Sequence, residues 1–295
     1  MAQGFRRKDD NVEAGFRRIA IAEIDAAIAI IDTRGTPPAD KVHQVRRQMK
    51  VLRALLRLVR PDFGHFRKEN RVFRDMARRL AGSRDAKVML DTFDTINRRA
   101  DAHALPRSFR VIRERLSAAC DSHGDAAPLL ARTRADLVAA KARAQHWSVK
   151  REGWAALAEG LRQTYRHARR AMRATLSTGD SHASHEWRKG VKYYGIQARL
   201  LALMKPGELK HDIRAASRLG DLLGQRHDID MFLDAMALAP ARFGDIVAVT
   251  QIAGLARLRL ARLDRQTARL GEKLFGRKPG LLIERWGEYW EDWRG

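Results

Sequence analysis

The chain has a single cysteine, Cys120, in 295 residues. One thiol forms neither an intramolecular disulfide nor a Cys-x-x-Cys zinc site, so a disulfide-stapled secreted scaffold is excluded and a reducing cytoplasm is the expected setting. Proline is scarce too, at eight, and gathers with glycine in a few clusters. Long apolar runs are missing: IAIAEIDAAIAIID is interrupted by Glu23 and Asp25, so neither a signal peptide nor a membrane span is expected. Aromatics make up only 7%. The shortage with most consequence is acid. Against 35 Asp and Glu stand 58 Lys and Arg, a formal charge of +23, and 45 of those cations are arginine. Arginine's planar fork grips phosphate or carboxylate through two bonds at once, so an anionic partner is expected. The plain alternative is a chain that uses arginine on every solvated surface, and composition does not separate the two.

What is present is helical. Ala, Leu and Arg are abundant, and no sustained alternation of β-branched and polar residues occurs. The class is all-α, with breaks expected at 33–40, 60–65, 81–85, 103–108, 121–128, 149–153, 177–184, 205–208, 222–228, 238–245 and 276–280, where Gly, Pro and short polar residues cluster. An internal repeat organises these helices. HQVRRQMK from His43 aligns with HEWRKGVK from His185 at an offset of 142 residues, pairing His43, Arg46, Arg47 and Lys50 with His185, Arg188, Lys189 and Lys192. The same offset sets the helix near Asn11 on the one near Gly153, and AGSRDAKVMLDTF close to LGQRHDIDMFLDAM with a one-residue slip. Two related helical units, 1–148 and 149–295, follow from it.

At about 100° per residue, His43, Arg46, Arg47, Lys50, Arg53 and Arg57 fall within an arc of roughly 120°, opposite Val45, Met49, Leu52, Leu55, Leu56 and Val59. The second copy repeats the stripe with His185, Arg188, Lys189, Lys192 and Arg199, but has Gly195 at the place of Arg53. Like charges one turn apart repel by some tenths of a kcal/mol per pair. Residues 41–61 contain no acid to relieve them. Solvent, counterions or a ligand must do so, and a linear polyanion would do it along the whole stripe. Flanking segments add Arg71, Arg74, Arg78 and Arg79; Tyr165, Arg166, His167, Arg169, Arg170 and Arg173; and His211, Arg214 and Arg218. For these a solvated helix face is an equally ready account.

In VHQVRRQMKVLRALLRL, HEWRKGVKYYGIQARLL, GSRDAKVML and LGDLLGQRHDIDMFL the chain resembles the CHAD family, the histidine-headed α-helical domain, over nearly its whole length. The resemblance implies two four-helix bundles in a pseudo-twofold arrangement, with basic helices lining a central groove or pore that binds inorganic polyphosphate. It also implies that the two stripes face this ligand. Recruitment to polyphosphate granules is its natural corollary. His43 and His185 themselves read as donors to phosphate oxygens that strengthen when protonated, the alternative being helix-start histidines that bond backbone or water.

Catalytic signatures fail on inspection. HEWRK lacks the second histidine of His-Glu-x-x-His, and GEKLFGRK places Arg277 and Lys278 where a P-loop needs Lys and Ser or Thr. The Glu-x-Glu-x-Lys signature of tunnel triphosphatases is absent. His182 and His185 supply at most two metal ligands, with His182 expected just before its helix. Asp85 and Asp228 are expected to cap helices or steady a neighbouring arginine. Trp286, Tyr289, Trp290 and Trp293 are expected to dock a terminal helix. The expectation is therefore a binder without enzymatic activity, needing no cofactor and no metal. Nonspecific nucleic-acid binding is the main rival, since +23 would hold DNA or RNA in any case. A polyphosphate-processing enzyme is the second.

Overall fold

Asn11, Asp180 and Asp245 each accept a hydrogen bond from the backbone N–H three residues on, at 2.7–2.9 Å, and so start a helix where the sequence supplies a short polar side chain. Prolines open others, as at Pro38, Pro206 and Pro279. The computed structural model describes residues 4–80, 85–97, 106–120 and 126–295. Among them the chain is all-α: α1 (Val12–Asp32), α2 (Pro38–Leu58), α3 (Phe66–Arg79), α4 (Asp85–Asn97), α5 (Arg107–Cys120), α6 (Ala127–Ala144), α7 (Ala155–Thr178), α8 (Ser181–Leu200), α9 (Pro206–Leu238), α10 (Ile246–Phe275) and α11 (Pro279–Arg294). No helix among the described residues is long and apolar enough to cross a membrane.

Two pairs of helices begin at nearly the offset of the sequence alignment, one residue longer. Val12 and Ala155, and Pro38 and Ser181, stand 143 residues apart. Helices α1, α2, α3 and α6 pack on one another, while α8 packs on α7 and α9, and α2 joins the two sets by packing on α7 and α8. One apolar cluster therefore runs through both, from Phe16, Leu52 and Trp147 to Tyr194, Leu219 and Trp286. A second cluster holds α4 and α5 against α9 and α10 through Phe93, Ile112, Phe232 and Ile252. The terminal aromatics dock as expected: Trp286 and Trp290 are buried, and Trp290 meets Trp154 and Phe5.

Three local expectations are corrected. The break at 222–228 does not occur, because α9 runs unbroken from Pro206 to Leu238. Gly224, which reads as a turn glycine in LLGQRHD, is a buried helical residue, as is Gly220, and their missing side chains make room for Arg188 and Lys192 of α8. Asp228 consequently lies inside a helix and caps none, which leaves the other expectation for it, the steadying of a neighbouring arginine; it lines a small cleft with Gln225 and Arg259. His182 belongs to the first turn of α8 rather than preceding it, because Asp180 takes the cap position. Asp85 begins α4, and its capping role lies outside the described residues, as do the expected breaks at 81–84, 103–105 and 121–125.

Candidate polyanion-binding site

Where α7 crosses the end of α2, Gly160 brings the two backbones so close that a Cβ there would stand 1.9 Å from the Leu58 carbonyl oxygen. Gln197 of α8 ties the crossing, donating to the Ala54 carbonyl at 3.2 Å and to Thr164 at 3.1 Å. This junction carries both stripes to one place. A pocket of about 250 Å³ opens there, lined by Arg53, Arg57 and Arg60 from α2 and its end, Gln163 and His167 from α7, and Glu186, Lys189 and Tyr193 from α8. Four permanent cations thus surround one carboxylate.

The arginines are held in place. Asn70 of α3 accepts from Arg57 Nη1 at 2.7 Å and from Arg53 Nε at 3.3 Å, and the Arg57 guanidinium lies over the Tyr193 ring at 4.1 Å. Stacking and a fixed acceptor hold both guanidinium groups at the pocket wall. Burial lowers the Arg57 pKa to about 10, Tyr193 opposing and the charges of Arg53 and Arg60 adding to it. Arg57 therefore stays charged at neutral pH while gaining from any anion that approaches. Burial pushes the Glu186 carboxyl up, but its bond to Lys189 and the charges of Lys189, His167 and His185 outweigh that, so it stays below the ordinary glutamate value. Arg199 is pulled below the ordinary arginine value by partial desolvation and by Arg47, which brings a second pair of stripe residues together across the α2–α8 contact.

The remaining stripe residues diverge from the pocket along two helix pairs. On α2, His43, Arg47 and Lys50 are exposed, and Arg46 donates to the Ala77 carbonyl near the end of α3 at 3.0 Å. On α8, Arg188 lies along Gly224 and Lys192 along Gly220, with Lys192 also 3.2 Å from Asp221. His185 meets His227 of α9 in a tilted contact, with ring centroids 4.7 Å apart and planes at 49°, and its Nδ1 is buried without a hydrogen-bond partner among the described residues. Both imidazoles are shifted below the ordinary histidine value. For His185 the causes are burial, then His227 and the charges of Lys189 and Arg188; for His227 they are burial, then Arg188 and Arg226.

The flanking cations are placed differently. Arg74 and Arg78 pair with Asp75 at 2.9 and 3.3 Å. Arg169 donates to the Phe275 and Gly276 carbonyls, satisfying the end of α10. Arg166, Arg170, Arg173, Arg214 and Arg218 are exposed on α7 and α9, and none of them lines the pocket. Sequence reasoning did not single out Asn70, Tyr193, Glu186 or His227. Asn70 and His227 lie on other helices with no spacing that links them to the stripes, whereas the Tyr193 position beside Lys192 could have flagged a ring at the stripe's edge. Among the described residues no group of three or more His, Cys, Asp or Glu is disposed to hold a metal ion.

Among curated proteins, none matches the chain. A family model, that of the CHAD domain, matches residues 21–237, which include both stripes, the α2–α7–α8 junction and most of α9. With about three quarters of its length matched, the chain belongs to the CHAD domain family.

Proposed function

We propose that this protein binds inorganic polyphosphate, without cleaving or transferring it, along a basic groove formed by the stripes of α2 and α8. The observation that carries this reading is the junction pocket, where Arg53 and Arg57 of the first stripe meet Lys189 of the second. In the proposed arrangement two pseudo-symmetric bundles face each other across that groove, a reading supported by the matching helix starts. Family membership supports the ligand class. Geometry supports the discrimination: a thin, flexible chain with about one charge per phosphate can follow guanidinium groups into a pocket of about 250 Å³, which is closed to a duplex. Targeting to polyphosphate granules is the role proposed for such binding.

The test is a competition at physiological salt between long polyphosphate, single-stranded DNA and duplex DNA, with free phosphate release followed in parallel. Polyphosphate should displace both nucleic acids. Arg46→Glu with Arg188→Glu should weaken polyphosphate binding at least tenfold while helical content, read by circular dichroism, stays the same. Equal affinity for DNA would reduce the stripes to a generic basic surface, and steady phosphate release would make the protein an enzyme.

A further inference from the structure

At the corner where α10 turns into α11 lies a second basic cavity, of about 160 Å³, that neither stripe reaches. Its polar lining is Tyr165, Asp212, Lys273, Arg277 and Arg285, and three leucines complete the wall. Cations near the end of a helix ordinarily answer its free carbonyls. Here the Leu274, Phe275 and Gly276 carbonyls are already satisfied. Tyr165 donates its hydroxyl to the Leu274 carbonyl at 3.0 Å, and Arg169 donates to those of Phe275 and Gly276 at 3.0 and 3.2 Å. The side chains of Lys273 and Arg277 have no ion pair among the described residues. Arg285 keeps a buried Nε–H with no acceptor among them, and a buried donor left unmade is costly enough to require an explanation.

One acid lies among these three cations. Asp212 accepts from the Tyr194 hydroxyl at 2.8 Å through Oδ2, and Arg285 Nη2 approaches that same oxygen at 4.0 Å, which leaves Oδ1 to accept another bond. A carboxylate repels a fully ionised anion, but it accepts a hydrogen bond from an anion that still carries a proton.

We propose that this cavity is a binding site for inorganic orthophosphate, separate from the polyphosphate groove. Monohydrogen phosphate would accept from the guanidinium groups of Arg285 and Arg277 and from the Lys273 ammonium, and donate its P–OH to Asp212. Sulfate has no such proton at neutral pH, and neither has a phosphate monoester dianion or an internal phosphate of a polyphosphate. The volume suits one tetrahedral ion, being about five times a water molecule's share of the liquid. Lys273, Arg277 and Arg285 lie beyond residue 237, outside the segment that the family model matches.

Calorimetric titration of the full chain at pH 7.5 with orthophosphate, sulfate and methyl phosphate tests this. Orthophosphate should bind one site at least tenfold more tightly than either of the others. Lys273→Gln with Arg277→Gln, both exposed positions, should lower orthophosphate affinity at least tenfold and leave long-polyphosphate affinity within about twofold. Asp212→Asn should bring sulfate and orthophosphate to similar affinity. No saturable orthophosphate site, or equal binding of sulfate by the unaltered protein, overturns the proposal. So does loss of the orthophosphate site in the Arg46→Glu, Arg188→Glu protein, since that would return the ligand to the stripes. If polyphosphate fails to bind while orthophosphate does, the groove reading falls and this one stands.

Discussion

Asp230 lies 2.6 Å from Arg226 Nη1, and Arg226, almost fully buried, also reaches Asp264 at 2.7 Å and the Gly179 carbonyl at 3.0 Å. Burial, together with Asp264, Asp234 and Asp180, nevertheless outweighs Arg226 and raises the Asp230 pKa from 3.8 to about 6. A carboxyl raised in this way binds a proton more readily folded than unfolded. Its charge therefore destabilises the fold above about pH 6, and the penalty fades as the pH falls toward 4. Asp230→Asn keeps an acceptor for Arg226 and removes the charge. Its melting temperature at pH 7.5 should rise by a few degrees, as expected for about 1 kcal/mol or more in a chain of this size, and the gain should shrink steadily as the pH falls toward 4. A fall at pH 7.5 would mean that the ion pair outweighs the crowding. The His185–His227 pair has the opposite sign. Both pKa values are depressed, so both rings are neutral at pH 7.5, and the unfolded chain protonates before the folded one as the pH drops below 6.5. A bound polyanion pulls them back up. Polyphosphate binding at pH 6.5 should thus take up protons, measured as a heat that depends on the buffer's ionisation enthalpy. The uptake should be lost in His185→Gln with His227→Gln, and unchanged uptake there would assign the protons elsewhere.

Helix crossings in this protein depend on glycine at a few points of backbone approach. Gly160 is the tightest, with the Leu58 and Arg57 carbonyl oxygens at 1.9 and 2.5 Å from where a Cβ would be. Gly160→Ala must push α7 away from α2, at the junction that shapes the pocket proposed to hold polyphosphate. It should destabilise by about 1–3 kcal/mol, typical of overpacking, and weaken polyphosphate binding in the same variant. Gly254 of α10 has open space for 4 Å around the place a Cβ would take and a negative φ, so Gly254→Ala should instead stabilise by up to about 1 kcal/mol. Thermal melting of the two variants checks both signs. If both variants melt like the parent, the close crossing is not rigid.

Over the whole molecule, several acids serve as internal pins. Glu69 receives Arg143 through two bonds at 2.8 and 2.9 Å, Asp62 receives Arg151 likewise at 2.7 and 2.8 Å, and Asp9 receives Arg18. They join α3 to α6, the turn after α2 to the segment before α7, and the N-terminal segment to α1. Residues 41–61 contain no acid of their own. Repulsion along the stripes is overcome by the apolar core, and under the proposed function a polyanion that binds only the folded state would relieve it. By linkage the melting temperature should climb with polyphosphate, the gain being roughly 2.7 kcal/mol at a hundredfold excess over Kd. Long chains should stabilise far more than the same total phosphate supplied as pyrophosphate, because several arginines act as one multivalent site. Added salt should erase most of the effect. Equal shifts from pyrophosphate and long chains would show that the stripes act as isolated charges.

The all-α class and the two cationic helix faces were legible in the residues because helical periodicity and spacing are local, and each stripe lies on one continuous helix. The start of α8 at Asp180 and of α2 at its prolines is local chemistry of the same kind. The pocket was not legible. Arg53 and Lys189 are 136 positions apart, and they share a cavity only because Gly160 lets α7 lie against the end of α2. The same glycine that reads as a turn in LLGQRHD is, in the folded chain, the space that Arg188 fills. A glycine's small size permits either a turn or a close contact, and which of the two it serves depends on the neighbouring helix, whose approach is set by packing between segments far apart in the chain.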